Sequence, residues 1–133
     1  MILKIYLAIV FTFIAGFHIY WAFGGKKGIS AAIPESEQRP LFKPEFGGTI
    51  FIALIFLIGI ILVILDIFEI EYISIQRYLY EFISIVFFIR VIGEFKYVGI
   101  FKEIRKTKFA KYDNLFFIPL CFSISMSSFI ILI

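Results

Sequence analysis

Cysteine, histidine and tryptophan each occur once in the 133 residues, methionine twice and proline four times. With Cys121 alone, an intrachain disulfide is excluded, as is any zinc or redox site built on two thiols. No phosphate-binding glycine loop, zinc-ligand spacing or dinucleotide fingerprint occurs, so no metal and no cofactor is expected. The glycine pairs at 24–25 and 47–48 flank apolar runs and mark turns. Charge is scarce as well: 17% of residues carry it, against about 25% in ordinary soluble domains. Hydrophobic residues make up 62%, including 19 phenylalanines. A soluble fold of this size leaves too much surface exposed to bury that content, which excludes water as the solvent of the whole chain.

What the chain does have is long greasy runs. A transmembrane helix needs about 20 mostly apolar residues, and four segments qualify, at about 2–23, 48–68, 77–96 and 114–133. They are twice the length of transmembrane strands and do not alternate apolar with polar. A helix also satisfies its own backbone hydrogen bonds in hydrocarbon. The expectation is an all-α integral membrane four-helix bundle, a single domain over 1–133 with long polar loops at 24–47 and 97–113. The first segment exceeds the roughly 7–15 apolar residues of a signal peptide core and is read as a span rather than a cleaved leader. Lys26, Lys27, Arg39 and Lys43 lie in the first loop, and Lys96, Lys102, Arg105, Lys106, Lys108 and Lys111 in the third. Lys4 and Arg77 are all that the other side offers, which predicts both long loops in the cytoplasm and both termini outside.

Polar groups inside the runs are the candidate site. His18 lies five residues before Phe23, roughly 7–8 Å below the helix end at 1.5 Å per residue, and Trp21 shares its face at a spacing of three. One reading is a ring tip among lipid headgroups; the other is a bundle-facing histidine that moves a proton or holds a headgroup. Arg90 and Glu94 stand one turn apart near the same end of the third run. If the faces meet, His18, Trp21, Arg90 and Glu94 form one polar cluster just inside the membrane. A structural salt bridge with a snorkelling arginine is the competing account.

Lys26, Lys27, Lys102, Arg105, Lys106, Lys108 and Lys111, with interleaved aromatics, predict an interfacial surface for anionic lipid headgroups. Nothing beyond charge and aromatics suggests nucleic acid. Pro34, Pro40 and Pro44 break the first loop, leaving ISAAIPES as a short re-entrant or surface turn over the cluster, or simply linker. In the last run Cys121, Ser125 and Ser128 make a small polar stripe suited to close helix packing. Nucleophilic catalysis there would need an adjacent base. Pro119 predicts a kink near the start of that helix.

Two stretches carry a family resemblance. HIYWAFGGKKGISAAIP (18–34) is similar to the opening signature of the small bacterial membrane proteins catalogued as domain of unknown function 3995. The matching residues are His18, Tyr20, Trp21, Ala22, Gly24, Gly25, Gly28, Ala32 and Pro34. RVIGEFKYVGIFKEIRKTKFAKYDNLFFIPLC (90–121) resembles the second signature, with Arg90, Gly93, Phe95, Gly99, Phe101, Phe109, Asp113, Pro119 and Leu120 in place. Glu94 stands where the family pattern has Asp, which keeps the carboxylate. The resemblance implies a four-span protein of a bacterial cytoplasmic (inner) membrane and no particular reaction. Three functions stay open. The first is a non-catalytic accessory or lipid-binding protein. The second is an intramembrane enzyme or binding site for a lipid or quinone headgroup on His18, Arg90 and Glu94. The third is a small oligomeric transporter, against which the apolar run ISIVFF (83–88) counts. A homo-oligomer or a membrane-protein partner fits any of them.

Overall fold

The apolar runs become long helices in a computed structural model that describes residues 1–36, 39–70 and 73–133. Helix α1 spans Ile2–Ala22, α2 Ile29–Ala32, α3 Phe46–Ile67 and α4 Ile73–Ile92. Strands β1 (Glu35–Ser36) and β2 (Arg39–Pro40) form a two-residue antiparallel ladder in the first loop, pairing Glu35 with Pro40 and Ser36 with Arg39. Helix α5 (Lys108–Tyr112), a π-helical turn (Asp113–Phe117) and α6 (Ile118–Leu132) run on as one rod. The fold is thus mostly helical, and α1, α3 and the 25-residue rod Lys108–Leu132 are long and apolar enough to cross a membrane. The fourth long helix, α4, carries Arg77, Glu81 and Arg90.

Three expected boundaries move. The last helix begins at Lys108 instead of 114, because Thr107 caps it by accepting the Ala110 amide at 3.0 Å, and because Phe109 and Ala110 are buried. The basic residues there made this turn look like loop. Helix α4 starts at Ile73 and stops at Ile92, four residues before its expected end. Gly93 stops it with φ +82, a backbone conformation that glycine adopts without steric cost. The first loop also holds structure, in α2 and in the β1–β2 ladder.

Pro119 has no amide proton to give the carbonyl of Leu115, and its ring would strike that carbonyl in a regular helix. The helix widens just upstream, where the Ile118 amide donates to the Asp113 carbonyl five residues back. Such a π turn is a recognised way to absorb the misfit.

Packing runs in two pairs. Phe11 meets Phe56 at 5.3 Å and Phe23 meets Phe46 at 5.6 Å, so α1 and α3 lie antiparallel. Helix α6 packs along α4, with Ser125 Oγ donating to the Ser84 carbonyl at 2.7 Å. Ser125 and Ser128 are buried there, and small side chains let the two backbones approach. The pairs join near the chain termini through Leu7, Phe11, Val63, Tyr80, Ile83 and Ile124. At that end Lys4 Nζ meets Asp66 Oδ2 at 2.8 Å, and the Tyr80 hydroxyl donates to the same oxygen at 2.7 Å. The outward faces are as greasy as the inward ones: Phe13, Phe51, Ile58, Phe82 and Phe129 are all exposed.

Candidate functional site

Toward the loop end the two helix pairs separate around a cavity of about 860 Å³. Its walls include Ile14, His18 and Trp21 from α1, Thr49 and Phe56 from α3, and Cys121 from α6, and α2 closes over it. This volume lies within the roughly 300–1,000 Å³ of small-molecule sites. Phe17 and Phe116 line it while remaining about half exposed, so the cavity opens sideways between α1 and the π turn. The turn ISAAIPES therefore acts as a roof. Lys108 Nζ holds it by donating to Ser30 Oγ at 2.9 Å.

His18 is half-buried in the cavity wall. Its Nδ1 lies 2.8 Å from the Ile14 carbonyl one turn back, and because a carbonyl only accepts, Nδ1–H is the donor of that bond. The ring meets Trp21 edge-on at 5.3 Å and stacks on Phe56 at 6.2 Å. Trp21 Nε1 donates to the Lys27 carbonyl at 2.8 Å, pinning the glycine-lysine turn against the helix.

Arg90 and Glu94 go elsewhere. Arg90 Nη2 donates to Asp113 Oδ1 at 2.8 Å. Glu94 lies beyond the end of α4 and accepts the amides of Lys96, Tyr97 and Val98. Among the described residues no hydrogen bond or ion pair joins His18, Arg90 and Glu94. The expected intrahelical pair of Arg90 with Glu94 fails because Gly93 ends the helix between them.

The expectation for Lys102 is corrected too. It is 1% exposed rather than at a headgroup surface. Its three ammonium protons go to the Gly99 carbonyl at 3.0 Å, to Asp113 Oδ2 at 3.1 Å and to Asn114 Oδ1, which exhausts what a lysine can donate. Asp113 also accepts the Gly99 amide at 2.9 Å and is wholly buried. Arg90 Nη1 is buried without an acceptor among the described residues. Lys26, Lys27, Arg105, Lys106, Lys108 and Lys111 are exposed.

Sequence reasoning passed over Asp113 as a site residue, although a signal existed. A charge in a helix of this kind calls for a counter-charge on its neighbour, and Asp113 begins the π turn of the rod that packs along α4.

The family model described as "Protein of unknown function (DUF3995)" matches residues 11–128. The chain belongs to this family. The matched span takes in both signatures, all of the cavity lining except Val10, and the Arg90–Asp113–Lys102 cluster. No curated protein and no solved structure matches the chain.

Proposed function

We propose that this member of the family is a four-span membrane protein that works by binding, holding the apolar chain of a lipid-like amphiphile in the cavity between its helix pairs. The observation that carries this reading is the cavity itself: about 860 Å³, walled chiefly by apolar side chains, open sideways and bearing His18 at one end. Helix α4 becomes the fourth span, since Arg77 is paired with Glu81 and Arg90 with Asp113, and pairing lowers the cost of charge near hydrocarbon. Both long loops then face the cytoplasm of a bacterial inner membrane and both termini face outward. The six exposed basic residues lie against anionic headgroups, each contributing about 1 kcal/mol. Catalysis by His18 with Arg90 and Glu94 loses its support, because Arg90 is engaged by Asp113 and Glu94 by the backbone amides of Lys96, Tyr97 and Val98.

Trp21, the sole tryptophan, lies in the cavity wall and so supplies the test. In nanodiscs, a single-chain amphiphile brominated on its chain should quench Trp21 emission saturably, and an unbrominated analogue should restore it. The control carries Trp21→Phe and Phe82→Trp, because Phe82 is exposed on the outer face of α4; it should quench in proportion to bulk bromine. Identical non-saturable quenching at both positions would remove the binding reading.

A further inference from the structure

The roof of the cavity is also a strap between the two helix pairs. Its near end is fixed to α1, where Trp21 Nε1 donates to the Lys27 carbonyl at 2.8 Å and the Tyr20 ring packs against Gly25. Its far end crosses to the other pair: α2 packs on α5, and Ser30 Oγ accepts from Lys108 Nζ at 2.9 Å. Helix α5 runs directly into the π turn. The sideways opening of the cavity lies between the same two elements, with Phe17 of α1 on one side and Phe116 of the π turn on the other. The strap thus ties the two jambs of that opening together.

It is lightly built. Helix α2 has four residues, none fully buried, and starts at Gly28 with φ +78 and no side-chain cap. A helix that short is held only by what it touches, and the glycine gives it a pivot. Ser30 and Lys108 are both exposed, and Lys108 has no carboxylate partner among the described residues. Lys111 shares its face of α5 at a spacing of three, so headgroups drawn to these lysines reach the contact with Ser30. The Ser30 hydroxyl is a neutral acceptor, whereas a lipid phosphate is charged and binds an ammonium more strongly.

We infer that the Lys108–Ser30 contact is a latch on the cavity and that anionic phospholipid releases it. Where phosphate headgroups take the Lys108 ammonium, the roof swings free, α1 and the π turn part, and the cavity exchanges its ligand faster. The inference rests on the binding function proposed above and adds the control of it: uptake and release of the amphiphile follow the surface charge of the surrounding bilayer.

The experiment follows release of an uncharged probe, a chain-brominated dodecan-1-ol, by stopped flow. Trp21 emission recovers when nanodiscs loaded with the probe meet excess unbrominated alcohol, and the control with Trp21→Phe and Phe82→Trp reports exchange of the bulk. Recovery should be about three- to fivefold faster in phosphatidylcholine mixed with phosphatidylglycerol than in phosphatidylcholine alone, and high salt should erase the difference. Lys108→Met and Ser30→Ala should exchange at the fast rate in both lipids, whereas Lys106→Met should keep the lipid dependence. A short bis-maleimide joining Ser30→Cys to Lys108→Cys, in a Cys121→Ser background, should hold exchange slow in both. Equal rates in the two lipids, a lipid dependence that survives Lys108→Met or the cross-link, or latch variants no faster than the unsubstituted protein would each overturn the inference and leave saturable binding in place. Absence of saturable quenching would overturn both readings together.

Discussion

Asp113 is the residue on which the loop end of the molecule turns. One carboxylate, itself with no exposure to solvent, neutralises part of the charge of the partly exposed Arg90 and the buried Lys102 while also accepting a backbone amide. Removing one member of a buried ionic cluster leaves the others uncompensated, which typically costs about 3–5 kcal/mol. Asp113→Asn should destabilise the protein on that scale, measured by unfolding in mixed micelles of detergent and SDS. Lys102→Met, which also removes a charge, should make the Asp113→Asn change less harmful in the double variant than in the single one, because residues in one network are not additive. Little of this was legible from sequence. Lys102 stands among five other basic residues between 96 and 111 and looks like part of a solvated face. Its burial depends on the chain wrapping back on α4, which no local pattern encodes. His18 and Trp21 were easier, because three residues on a helix suffice to make neighbours.

At the scale of elements, the 93–107 segment is shaped by two glycines. Gly93 and Gly99 both have positive φ, and a Cβ on Gly93 would lie 1.8 Å from the Val98 carbonyl oxygen. Closing this contact lets the Ile100 amide donate to the Val91 carbonyl at 2.8 Å, which satisfies an orphan acceptor at the helix end. It also presents the Gly99 amide to Asp113. Gly93→Ala should cost more than the roughly 1–2 kcal/mol of a left-handed residue, since backbone must also move. The loop should open, and limited trypsinolysis at Lys102 or Arg105 should accelerate. A smaller effect is expected of Ser125→Ala, about 0.6 kcal/mol on the scale of hydrogen bonds between membrane helices, seen in the same SDS unfolding assay. The long helices themselves were readable because their apolar runs exceed any strand. Their ends were not, since Thr107 begins a helix amid lysines and Gly93 stops one amid apolar residues.

For the whole molecule, two antiparallel pairs joined firmly at one end and parted at the other account for both the core and the cavity. The four-crossing arrangement is open to cysteine labelling in a Cys121→Ser background. Cysteines replacing Lys27 and Lys106 should react with an impermeant maleimide only after cells are permeabilised, and one replacing Glu69 should react in intact cells. Labelling of positions 27 and 106 from opposite faces would break the proposed topology. Composition carried the greasy character of the chain openly. The cavity was hidden, because it depends on how α1, α3 and the last rod diverge, which no single helix's sequence encodes.

The π turn at Asp113–Phe117 has a consequence for how the last rod is wound. It takes up one more residue per loop of hydrogen bonding than its neighbours, so the phase between Asp113 and the stripe of Cys121, Ser125 and Ser128 depends on that spare residue. Excising a single position there, such as outward-facing Leu115, would tighten the winding. It would swing the carboxylate by on the order of 100° relative to the stripe, so that one end of the rod would keep its grip on α4 only if the other let go.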